Sequence, residues 1–207
     1  MDAAAKTTIL RRGGGEYTEK KSVFTGYAAP AATKEEAERF IAEIRAEHPD
    51  ARHNVFAYLV TEGNATRYSD DGEPQGTGGM PVLDVIRKSG VCDAAIVVSR
   101  YFGGILLGAP GLVRAYTSAA AAALGDAGIV TLRSYTECVL KLDYSAYTRL
   151  EQELDRFEAK RDGSSYDDRV TLRLAIPTEL YGAFCAKITE STSGRCAPES
   201  AGTRFDA

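Results

Sequence analysis

Hydrophobic and polar residues alternate through "YTEKKSVFTGYAAP" (17–30), the two-residue period of a strand, and Pro30 ends it. Thr33 is placed to cap a helix whose apolar positions Ala37, Phe40, Ile41 and Ile44 recur at i, i+3, i+4 and i+7. "NVFAYLVTE" (54–62) predicts a buried strand, and "NATRYSDDGEP" (64–74) a turn, a short strand and a second turn. "MPVLDVIRKSG" predicts a helix closed by Gly90, and "DAAIVVSRYFG" (93–103) a β-branched core strand. A helix with an alanine-rich face follows over "LVRAYTSAAAAALGDAG" (112–128), where small side chains let it lie close to a sheet or a second helix.

Past Arg133 the pattern restarts. "TECVLKLDY" predicts a strand, and Ser145 a cap for a helix with Tyr147, Leu150, Leu154 and Phe157 on one face. "AKRDGSSYDD" and "RVTLRLAIP" predict two strands, and "TELYGAFCAKITEST" a helix with Leu180, Tyr181, Phe184, Cys185 and Ile188 inward. Gly194 and a last short strand complete a β-α-β-β-α-β order, the signature of a ferredoxin-like unit. The expected class is α+β in two domains: a flexible lead-in over 1–15, one domain over 16–133 and another over 134–207.

Composition changes this picture little. A net charge of −4 and a pI near 5.4 give no global basic field, so a nucleic-acid surface has to be a local patch. No DNA sequence specificity is expected. No apolar run reaches the roughly 18 residues of a membrane span. "MDAAAKTTILRRGGGEY" lacks the apolar core of a secretory signal, so the expected location is cytoplasmic. Cys92, Cys138, Cys185 and Cys196 are scattered without a C-x-x-C pair and are expected as free thiols.

Chemistry concentrates in "VVSRYFGGILLGAPGLVRAY" (97–116), where a strand feeds a glycine-rich loop and then a helix. N–H groups freed by glycine, with the positive helix N-terminus, make an anion cradle, and Arg100 and Arg114 add charge-assisted contacts. Gly103, Gly104, Gly108 and Gly111 equally suit tight turns and close packing. The stretch fits neither G-x-x-x-x-G-K-[ST] nor G-x-G-x-x-G. "SDDGEP" gathers Asp70, Asp71 and Glu73 around Gly72, residue types that hold Mg²⁺ or move protons but also build a solvated turn. His48 and His53 are spaced wrongly for a helical zinc pair, and His53 with Asn54 stands at the mouth of a strand. Neither H-E-x-x-H nor G-x-S-x-G is present, and no nucleophile–base motif is visible, which leans against an enzyme.

Taken together, "EKKSVF", "RAEHPDARHN", "YSDDGEPQGTGG" and "VVSRYFGGILLGAPGLVRAY" resemble the IMPACT family in its YigZ-like two-domain bacterial form, over nearly the whole chain. The resemblance implies an N-terminal domain like domain 2 of ribosomal protein S5. It also implies a C-terminal ferredoxin-like domain similar to domain V of elongation factor G. A eukaryotic relative restrains an amino-acid-starvation kinase through that kinase's activator, but lacks this C-terminal domain, so its partner does not transfer. Asp70, Asp71, Gly72, Glu73, Arg100, Gly103, Gly104, Gly108, Gly111 and Tyr116 fall on the family pattern. Val23 departs from it, where many relatives carry Arg, and so does the chain around Val55, where relatives often carry Cys or another residue.

Two functions follow as expectations. One is a translation-linked regulatory protein whose N-terminal domain engages RNA, the ribosome or a protein partner, with Arg100, Tyr101 and Phe102 as a cation beside stacking rings. The alternative is an enzyme or switch for a phosphate-containing ligand or nucleotide, the glycine loop holding phosphate and the acidic turn Mg²⁺.

Overall fold

The computed structural model describes residues 5–206 of the chain. It divides into a unit of Thr7–Thr131 and a unit of Leu132–Ala207 that takes in the chain's first residues.

Glycines change the reading of the chain's start. Residues 5–15, expected as a flexible lead-in, instead carry β1 (Ala5–Ile9) and the beginning of β2 (Gly13–Glu19). Residues 1–4 of that expectation lie outside the described residues. The glycines read as flexible are there for close packing: a side chain on Gly13 would run into the Ala127 backbone, and one on Gly15 into Ala122. Both alanines lie in α3 (Gly108–Ala127), so glycine on the strand and alanine on the helix together set the separation.

The alternating stretch 17–30 is two strands rather than one. It breaks at Lys20 and Lys21, with φ of 45° and 68°, so that β2 folds back onto β3 (Ser22–Pro30). Consecutive left-handed residues make the turn that suits the twist of a two-stranded hairpin.

The remaining elements of this unit are α1 (Lys34–Glu47), β4 (His53–Val60), β5 (Ala65–Ser69), α2 (Gly79–Lys88) and β6 (Ala94–Tyr101). The sheet runs β2-β3-β6-β4-β5 with every neighbour antiparallel. Strand alternation divides its residues between two cores. Ala29, Phe56, Tyr58, Ala95 and Val97 face α1, whereas Phe24, Ala28, Val55, Ala57, Ile96 and Val98 face α2 and α3. Val23, next to Phe24, therefore belongs to the α1 side.

The second unit follows the expected order: β7 (Ile129–Leu142), α4 (Tyr144–Leu154), β8 (Lys160–Tyr166), β9 (Val170–Pro177), α5 (Thr178–Ser191) and β10 (Glu199–Asp206). Antiparallel pairing in the order β10-β7-β9-β8 is the ferredoxin-like arrangement, and α4 and α5 cover it through Leu150, Leu154, Phe184 and Ile188. Asp143, not Ser145, caps α4: its carboxylate accepts the Ala146 N–H at 2.7 Å, and the Ser145 hydroxyl donates to the same oxygen. None of the four cysteines forms a disulfide among the described residues, and burial pushes the Cys138 thiol up to about 12.

Candidate functional site

Arg100 is the next-to-last residue of β6, with Phe24 of β3 opposite it on one side and His53 of β4 on the other. The three side chains form a row across the sheet on the face that α3 covers. Arg100 is only 5% exposed, and a guanidinium that deep needs a counter-charge. Glu73 supplies it: Nη1 of Arg100 donates to Glu73 Oε1 at 2.5 Å, and the Tyr116 hydroxyl of α3 donates to the same oxygen at 2.7 Å. Burial first, and the Glu73 charge second, push the Tyr116 hydroxyl far above the ordinary tyrosine range, so it stays a donor. The guanidinium also lies over the Phe24 ring at 5.3 Å.

The acidic turn does three separate jobs. Asp70 accepts the N–H groups of Gly76, Gly78 and Gly79 at 2.8–2.9 Å, which satisfies the start of α2. Asp71, in the left-handed region at φ 45°, accepts the Asn54 N–H and pairs with Arg45, each at 2.7 Å. Glu73 turns inward. With both oxygens of Asp70 and Asp71 and Oε1 of Glu73 engaged within the fold, the three carboxylates point apart and do not fit the possible Mg²⁺ site, and no metal-ligating cluster occurs among the described residues. They clamp the loop between α2, β4 and β6.

The two histidines stand on opposite faces of the sheet. His53 Nδ1 lies 2.8 Å from the Asp71 carbonyl, which can only accept, so Nδ1 carries a proton and Nε2 points toward Glu73 Oε1 at 3.9 Å. Asn54 is tied up, its side-chain oxygen accepting the Ser99 hydroxyl. His48 closes α1 between the hydroxyls of Tyr27 and Tyr101, each 2.7 Å away. Tyr101 thereby parts from Arg100 and Phe102, because alternate residues of β6 face opposite ways.

Beyond β6 the glycine loop makes close contacts. Gly103 has the Lys21 backbone against it, where a side chain would not fit, and its N–H donates to the Ser22 hydroxyl at 3.1 Å. Gly104 and Gly108 take positive φ, while Gly111 sits buried one turn into α3. The helix begins at Gly108, earlier than expected, so Arg114 lies further along it, exposed and away from the loop. A cleft of about 360 Å³ opens between this loop and the acidic turn. Arg52, His53, Glu73, Arg100, Phe102 and Leu112 line it, along with the first residues of α3. Phe102 is 40% and Leu106 83% exposed at its rim.

Sequence reasoning missed Arg52, whose guanidinium lies 5.6 Å over the Phe102 ring and forms no ion pair among the described residues. It also missed the placement of Lys20 and Lys21. "KK" reads as ordinary strand residues until the hairpin is known, and only then does Lys21 adjoin Gly103.

The Impact N-terminal domain family matches residues 20–124, and the Domain of unknown function DUF1949 matches residues 140–195. The chain is 38% identical to IMPACT family member YigZ of Escherichia coli (strain K12), covering 84% of this chain and 87% of that one. It is 34% identical to IMPACT family member YvyE of Bacillus subtilis (strain 168), covering 91% and 87%. A crystal structure of a hypothetical protein superposes with a TM-score of 0.64 at 34% identity, over 95% of this chain and 97% of the other. The arginine, glycines and acidic turn of the cleft lie inside the first matched segment, and the chain belongs to the IMPACT family.

Proposed function

We propose that the chain is a translation-linked regulatory protein that binds RNA, as a free strand or in the ribosome, through its N-terminal domain. The translation link rests on the family resemblance. The observation that carries the RNA part is the hairpin turn at Lys20 and Lys21. Two lysines occupy left-handed positions that Asn and Gly fill more readily, and the turn is held against Gly103. Strain retained at an exposed cationic tip points to a use for the cations. Arg52, stacked on Phe102, continues the surface toward the cleft. In an acidic chain this is the local patch that phosphate binding requires.

Lys20, Lys21 and Arg52 form no ion pair among the described residues.

Co-sedimentation with ribosomes and filter binding of single-stranded RNA at low salt test the proposal. Retention that falls steeply with salt supports it. Absence of retention at low salt rejects it.

A further inference from the structure

The cleft has an end that the hydrogen bonds described so far leave open. Leu107, at the N-cap of α3, offers no side-chain cap, so the N–H groups of Gly108 and Ala109 face outward with the positive end of the helix behind them. Pro110 has no N–H to add. Arg100 lines the same cleft, nine-tenths buried, and its Nε has no hydrogen-bond partner. The Nη1 bond to Glu73 is the single hydrogen bond its guanidinium makes among the described residues. A guanidinium carries five N–H donors, and leaving the buried Nε–H without an acceptor is costly.

We propose that this cleft holds one nucleoside monophosphate unit, its phosphate between Arg100, Arg52 and the N-terminus of α3, its base on Phe102. Donors approach from two sides, which suits an anion with three or more acceptor oxygens. Phe102 is 40% exposed, with the Arg52 and Arg100 guanidinium groups each 5.6 Å from its ring centroid, so an aromatic surface open to solvent borders both cations. Leu106, Leu107 and Leu112 give apolar walls, and about 360 Å³ is within the size range of small-ligand sites. Glu73 neutralises Arg100 without filling the cleft, so the α3 N-terminus and Arg52 keep it electropositive. This inference rests on the RNA-binding reading for its ligand class, and the unit could come as a free mononucleotide or as one residue of an RNA strand.

The experiment measures AMP, adenosine, inorganic phosphate and a short oligoadenylate against the full chain by calorimetry and by amide chemical shifts. AMP is expected to bind more tightly than either of its halves, with shifts at Gly108 and Ala109. Phe102→Leu should weaken AMP about tenfold while leaving phosphate unchanged. Because Arg100 variants risk unfolding the domain, the decisive variant is Ala109→Asp. A carboxylate in the first turn favours the helix but opposes an anion, so the melting temperature should hold or rise while AMP and phosphate binding is lost. AMP binding unchanged in Ala109→Asp would overturn the site, as would no binding of AMP or phosphate by the parent chain. Retention of oligoadenylate without AMP binding would sink the subsite and spare the RNA reading. AMP binding without retention of oligoadenylate or ribosomes would do the reverse and identify the free nucleotide as the source.

Discussion

Arg100 and Glu73 meet at 2.5 Å, both almost wholly buried, and join the last residues of β6 to a turn 27 residues earlier in the chain. Tyr116 locks the same carboxylate from the helix side. The clamp fixes the wall of the cleft and leaves most of the guanidinium's donors unspent.

Breaking this pair from one side should be far more damaging than removing it whole. Glu73→Ala strands a buried guanidinium and is expected to cost about 3–5 kcal/mol in urea unfolding. Arg100→Met with Glu73→Leu should cost clearly less than the sum of the two single changes. Additive costs would mean that the two groups do not act as a unit.

The acidic turn is predicted to serve the fold. Asp70→Ala removes an acceptor from three N–H groups and should lower stability by roughly 2–3 kcal/mol. Millimolar Mg²⁺ should leave the melting temperature of the parent chain unchanged. A rise in melting temperature with Mg²⁺ that Asp70→Ala and Asp71→Asn abolish would restore a metal to this turn.

At the hairpin, stability and binding should move in opposite directions. Lys20→Asn with Lys21→Gly relieves two left-handed lysines and is expected to stabilise the domain by about 0.5–1 kcal/mol. The same change should weaken RNA binding and flatten its salt dependence. Loss of stability would show that the lysines themselves hold the turn.

Acid should loosen both domains through named carboxylates. The N–H of Gly14 and then Arg11 hold Asp126 below its ordinary value of 3.8, and the N–H of Ala146 and then Ser145 do so for Asp143. A lowered folded-state pKa gives stability that is complete above the unfolded value and is lost as pH falls through the folded one. Asp143→Asn should therefore lose stability relative to the parent at neutral pH and match it more closely below pH 3.8. An equal deficit at both pH values would contradict the capping role.

Much of the architecture was legible because period and punctuation agreed. The alternation that assigns Phe24 and Val55 to one face and Phe56 and Tyr58 to the other is written in the chain. What stayed hidden depended on pairing across distance. "RRGGGEY" looks flexible because nothing local says that an alanine face will press on Gly13 and Gly15. Asp70, Asp71 and Glu73 look like one cluster because sequence shows neighbours and not directions. Arg52 is unremarkable until Phe102 arrives beside it from the end of the neighbouring strand. Tyr101 is the converse case, adjacent to Arg100 in sequence and separated from it by the sheet.

Lys20, Lys21 and Arg52 are the side chains expected to meet RNA phosphates. The direct measurement is single-stranded RNA affinity across a salt series, for the parent chain and for the Lys20→Asn, Lys21→Gly, Arg52→Ala triple variant. Removing three phosphate contacts should flatten the log–log slope by about 2. A parent slope near zero, or a slope the triple variant leaves unchanged, would contradict the claim.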